Sequence, residues 1–153
     1  MIKLSNMADY AVVLMTHIAI RPETVHSAAD LADETHIPLP TVSKVLGAMV
    51  RGQLLMSHRG TRGGFTLAQD RASVTVSDII QVVDGPVALT NCLEDGVGEC
   101  GLESGCHARQ HWNKINTAVE DALNSVSLAD LVPSVPDFFA ASQKAEGKES
   151  QPF

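Results

Sequence analysis

The chain has 153 residues and a formal net charge of −7; 44% of its residues are hydrophobic but only 4% are aromatic. That composition suits one domain, or a small domain with an appendage, around an aliphatic core. It argues against a membrane span, since no run approaches the roughly 18 apolar residues required, and against secretion, since the opening M-I-K-L-S-N lacks the basic-then-apolar pattern of a signal peptide.

Met7, Ala11, Leu14, Met15 and Ile18 recur at helical spacing and predict a first helix, which Ser5 can cap and Arg21-Pro22 can stop. Ser27-x-x-Asp30 has the form of a capping box and opens a short second helix ending near Thr35-His36. Ile37-Pro38-Leu39-Pro40 is a turn from which a third helix starts, with Val42, Val45, Leu46 and Met49 as its buried stripe and Gly52 as its stop. Leu54 to His58 reads as a strand, Arg59 to Gly64 as a basic, glycine-rich hairpin loop, and Phe65-Thr66-Leu67 as the returning strand. A helix pair followed by such a hairpin is the order of a winged helix-turn-helix, and the expected fold class is mainly α with a small β-hairpin wing. Thr75-x-x-Asp78 opens a further short helix carrying Ile79, Ile80 and Val83, ended by Asp84-Gly85-Pro86. Beyond a cysteine-bearing stretch, Trp112, Ile115, Val119, Ala122, Leu123 and Val126 form the apolar stripe of a longer helix, free to pack on its own domain or on a partner subunit. Residues 133–153 mix Pro, Ser, Lys, Glu and Gln and read as a flexible tail.

Charge is distributed unevenly along this plan. Between Pro40 and Arg71 lie Lys44, Arg51, Arg59, Arg62 and Arg71 against Asp70 alone, a balance suited to nucleic acid despite the acidic total. Thr41, Ser43 and Lys44 sit at the N-terminal part of the third helix, where hydroxyls and an ammonium can meet base edges or phosphates. Thr41 as a plain helix cap and Lys44 as a solubilising charge are the bland alternatives. Arg59, Gly60 and Arg62 are the wing residues expected to approach the DNA backbone or minor groove.

The three cysteines are Cys92, Cys100 and Cys106, spaced C-x7-C-x5-C in a stretch that also carries Glu94, Asp95, Glu99 and Glu103. An odd number so confined argues against a disulfide framework, and a cytoplasmic location keeps thiols reduced. Thiolates on a Gly-rich loop suit an iron–sulfur cluster, and they suit zinc as well.

The sequence resembles the Rrf2 family of bacterial winged-helix regulators, which includes iron–sulfur regulators of the IscR, NsrR and RirA kinds. The resemblance rests on K-L-S-N-M-A-D-Y-A-V at the start, L-P-T-V-S-K-V-L in the third helix, R-G-T-R-G-G-F-T-L in the wing, the cysteine triad and W-N-K-I-N, over roughly residues 1–132. Within the family the chain looks most like regulators of the SUF iron–sulfur assembly operon. The resemblance implies a winged helix-turn-helix in residues 1–86 and a cysteine segment with a dimerisation helix in 87–132. It implies a homodimer held by that long helix, through Trp112, Ile115, Val119 and Leu123. It also implies a palindromic double-stranded operator, with recognition helices about 34–36 Å apart. Cys92, Cys100 and Cys106 would hold a 4Fe–4S or 2Fe–2S cluster. The histidine that completes the site in IscR-like members is replaced by Arg109, which cannot ligate. Asp9, matching the aspartate that NsrR-like members supply from the other subunit, is the first alternative. His107 and His111 follow, with a small thiol, a water or another acidic residue as further alternatives. Asp9 equally complements the helix dipole. An Asp9 ligand leans the site toward 4Fe–4S, while the long first gap leaves both types open.

The leading expectation is therefore an iron–sulfur-sensing DNA-binding repressor of SUF-type assembly genes, with no catalytic activity, no membrane partner and no small-molecule substrate. A nitric-oxide- or iron-responsive repressor of the same family and a zinc-binding winged-helix interaction module are the alternatives. A thiol enzyme would need a base and an orienting third group, and no such arrangement stands out.

Overall fold

Ser5, Ser27, Thr75 and Ser127 each stand immediately ahead of a helix. Each side-chain oxygen accepts a hydrogen bond from the backbone N–H three residues on, at 3.0, 3.1, 3.1 and 3.3 Å. These caps satisfy N–H groups that a helix start otherwise leaves unpaired, and so they fix where the chain turns into helix. They punctuate the computed structural model, which describes residues 3–90, 93 and 105–132. The elements are α1 (Asn6–Ile20), α2 (Ala28–Thr35), α3 (Leu39–Arg51), β1 (Leu55–His58), β2 (Gly64–Leu67), α4 (Val76–Asp84), α5 (Arg109–Asn124) and α6 (Leu128–Leu131). Cys92, Cys100 and the expected tail at 133–153 lie outside the described residues.

α1 buries Ala8, Ala11, Leu14, Met15, Ile18 and Ala19 along one face and stops at Arg21. α2 stops at His36, whose left-handed backbone (φ 57°) turns the chain into Ile37-Pro38 and on to α3. α3 has Pro38 at its cap position and no side-chain cap; its N-terminal turn relies on Pro40 and on Thr41 and Val42 N–H groups donating to the Pro38 carbonyl at 2.9 and 3.0 Å. Thr41 is thus a residue of the first turn and not the cap. Val42, Val45, Leu46 and Met49 are fully buried, as their spacing predicts.

β1 and β2 pair antiparallel, with Leu55 opposite Leu67 and His58 opposite Gly64. The loop between them turns at Gly60, whose φ of +114° strains any residue with a Cβ. The returning strand is held from its other side too. His26 and Phe65 exchange backbone hydrogen bonds of 3.0 and 2.8 Å, so the chain ahead of α2 adds a short third rung to the wing. A Cβ on Gly64 would collide with the His26 carbonyl, so this rung requires glycine there.

The core is aliphatic throughout. Leu14, Met15, Ile18, Leu31, Leu46, Met49, Leu55 and Ile79 close it from five elements, and Leu128 of α6 joins them with no exposed surface. The core therefore does not stop at residue 86. Val76 N–H donates to Val126 O at 2.9 Å and Leu128 N–H to Val74 O at 2.7 Å, which bridges Thr75 to Ser127 and pins the far end of α5 back on the head. α5 itself is different: none of its 16 residues is buried in this chain.

Candidate nucleic-acid interface and thiol site

Ser43 and Lys44 are exposed on α3, and Thr41 is half-buried beside them. Arg59, Gly60, Thr61 and Arg62 are exposed at the tip of the wing. The two groups belong to one rigid head, because β1 follows α3 directly and Leu54 and Leu55 anchor the strand in the core. Among the described residues, Lys44, Arg59 and Arg62 make no ion pair; the two bridges recorded both end on Glu34, from His17 and Arg21. Unpaired cations around a protruding helix and hairpin form a surface that attracts phosphates without a prior cost of breaking a salt bridge.

One feature of this surface is not legible in the sequence. The His26–Phe65 pairing brings the start of α2 against the wing and leaves a hollow of about 420 Å³ lined by Ser27, Ala28, His58, Arg59 and Gly63 among others. Arg59 and the start of α2 thus border the same open hollow. His58 also bonds across the hairpin, Nε2 to Thr66 Oγ1 at 2.8 Å, which fixes its ring on the exposed side of the wing.

On the opposite part of the molecule, Cys106 is half-buried, and its carbonyl accepts the Arg109 N–H at 3.4 Å, the first turn of α5. His107 is exposed; its Nδ1–H donates to the Gly105 carbonyl at 3.0 Å. Asp9 is exposed in the first turn of α1, its N–H bonded to Ser5 O at 3.1 Å. His111 is exposed on α5. Among the described residues no three His, Cys, Asp or Glu side chains converge on a metal-sized point. The donor chemistry of three thiols with a carboxylate or imidazole fits an iron–sulfur centre; two of the three thiols lie outside the described residues.

The four apolar residues expected in a dimer contact are divided by the structure. Val119 and Leu123 are half-buried and line a cavity of about 480 Å³ with Leu4, Ile80 and Asp84, so they face the head. Trp112 and Ile115 remain 38% and 44% exposed. Between them, Asn116 reaches back to the chain ahead of the cysteines. Its Nδ2 donates to Val87 O at 2.8 Å and its Oδ1 accepts the Leu89 N–H at 3.0 Å. Asn116 stands in the W-N-K-I-N motif, but nothing in the sequence gave it this bidentate role.

Compared with known proteins, residues 4–134 match the Rrf2 family model, described as iron-dependent transcriptional regulators. The chain belongs to the Rrf2 family. It is 29% identical over 131 residues to the HTH-type transcriptional regulator IscR of Klebsiella pneumoniae, covering 85% of this chain and 79% of that one. Its structure is similar to that of CymR, the global cysteine regulator of B. subtilis, with a TM-score of 0.69 and 27% identity over 86% of this chain and 96% of that one. It also shares its fold with T. potens IscR, at a TM-score of 0.64 and 23% identity over 97% and 94% of the two chains. These Rrf2 relatives are transcriptional regulators and not enzymes, and the head described above is their winged helix. No helix among the described residues is long and apolar enough to cross a membrane.

Proposed function

We propose that this Rrf2 protein is a cytoplasmic iron–sulfur-cluster-sensing repressor that binds a palindromic operator as a homodimer and controls SUF-type iron–sulfur assembly genes. The observation that carries the reading is the confinement of all three cysteines to one acidic stretch, 92–106, which runs directly into α5. Cys92, Cys100 and Cys106 would hold the cluster, with Asp9 of the partner subunit or His107 as the fourth ligand. Bound there, an iron–sulfur centre supplies a labile, redox-active group whose presence distinguishes two states of the cell. Everything else falls to the chain. The Cys106 carbonyl accepts the N–H of Arg109, the first residue of α5, so what its sulfur holds bears on how that helix starts. Trp112 and Ile115 offer the apolar surface on which a second copy would pack. Thr41, Ser43 and Lys44 would read the major groove of each half-site, while Arg59, Gly60 and Arg62 hold the backbone.

Three measurements test this. In anaerobically purified protein, Cys92→Ala, Cys100→Ala or Cys106→Ala should each abolish iron and sulfide loading and leave a folded protein. A variant that loads fully takes that cysteine out of the site, and a colourless, zinc-loaded wild type sinks the cofactor assignment. Operator affinity of cluster-bound and cluster-free protein at one salt concentration should differ by at least about tenfold, or about 1.4 kcal/mol, with the loaded form tighter. Genome-wide mapping of bound sites that misses iron–sulfur assembly genes would remove the proposed targets.

A further inference from the structure

The segment 86–90 forms no helix or strand, yet it is held. The carboxamide of Asn116 supplies one acceptor and one donor to it, taking the Leu89 N–H and giving to the Val87 carbonyl, as a neighbouring strand would. Leu89 lies three residues before Cys92, and Cys106 lies three residues before Arg109, the first residue of α5. Both ends of the cysteine segment are therefore fastened to the same helix. One end is covalent, at Arg109. The other is the Asn116 clamp, seven residues or about 10 Å further along the axis.

We propose that Asn116 is a positioning residue that transmits the state of the cysteine segment to α5. This rests on the sensing function proposed above. Three residues of extended chain span at most about 10 Å, so chain connectivity alone keeps whatever the Cys92 thiol holds close to the clamp at Leu89. The clamp sits on the face of α5 that also carries Val119 and Leu123, both lining the cavity against α4. A pull at Leu89 thus acts on α5 where it meets the head, close to the partly exposed Trp112 and Ile115. Without the two hydrogen bonds, Cys92 can rearrange while α5 stays where it is, and the thiols lose their hold on the spacing of the heads.

The test uses the full chain and two substitutions that keep the side chain's size. Asn116→Leu removes both bonds. Asn116→Asp keeps the acceptor for Leu89 and replaces the donor to Val87 with an oxygen. Hydrogen exchange of the Leu89 amide in cluster-free protein should quicken by about tenfold or more in Asn116→Leu and less in Asn116→Asp. Iron and sulfide loading should stay at wild-type levels in both. The ratio of operator affinities between cluster-bound and cluster-free protein should fall from about tenfold or more in the wild type to under about threefold in Asn116→Leu. A ratio kept at the wild-type value alongside faster Leu89 exchange would overturn the proposal alone, since the clamp would be real but silent. A wild-type ratio near one would overturn the sensing function itself and this proposal with it. If Asn116→Leu misfolds, Asn116→Asp decides by the same ratio.

Discussion

The reading head and α5 are built on opposite principles. Every helix of the head buries side chains within the chain, and Leu14, Met15, Leu46, Met49 and Ile79 retain no exposed surface. α5 is as long as α1 to within one residue, 16 against 15, yet buries none. Helix propensity alone gives marginal stability at that length; a face must be covered. The head is thus self-sufficient, whereas α5 is fastened at points: at its end through Val126–Leu128, at its middle through Asn116, and along Val119 and Leu123. An element held at points can be displaced at less cost than one embedded in a core, which suits the role proposed for α5.

The sharpest way to break the contrast is in the head. Leu46→Ala should cost about 2–5 kcal/mol, because the site is fully enclosed and cannot collapse, and denaturant midpoints would show it. A cost below about 1 kcal/mol would mean the head is not the rigid partner. Next comes the uncovered face. Trp112→Ser with Ile115→Ser should leave thermal unfolding of the head intact but convert the protein to monomer in sedimentation experiments, with operator affinity falling by about a hundredfold as two linked half-sites become one. An unchanged dimer would place the partner contact elsewhere. Arg59→Ala and Arg62→Ala should each lower the slope of log affinity against log salt by about one unit, without altering stability or oligomeric state. Unaltered slopes would remove the wing from the interface.

The smallest effect concerns the fastening at α6. Asp130 accepts from the Ser127 side chain at 2.6 Å and from its backbone N–H at 2.8 Å, and these bonds hold its carboxyl below the usual carboxylate range against a weak opposing effect of burial. A depressed folded pKa means this contribution is present above the ordinary carboxylate pKa and is lost as the pH falls through the lower folded value. Protection of the Leu128 amide from exchange should therefore weaken only in acid, and Asp130→Asn should flatten that dependence. An identical acid response in the variant would assign it to another group.

Much of the head was legible because its signals are local. Ser5, Ser27 and Thr75 cap the helices they were expected to cap, and the stripe Val42, Val45, Leu46, Met49 is buried as its spacing required. The third rung at His26 was not, because it pairs residues 39 positions apart through backbone atoms that carry no side-chain signature. α6 was missed because four residues show no periodicity, although Ser127-x-x-Asp130 is the same capping pattern read at Thr75. At the proposed thiol site the sequence supplies candidate donors and their spacing. It could not show that Asn116 is the neighbour of Val87 and Leu89, since an asparagine on a helix reads as solvated until its partners are placed.

The docking of Leu128 also sets an order of events at the ribosome. The chain is made from its N-terminus, and domains begin to fold as they emerge. Here the core between α1 and α4 lacks a fully buried leucine until residue 128 has appeared, and by then both the cysteine segment and α5 have been made. A nascent chain therefore completes the core of its head only after the cysteine segment and α5 have been made.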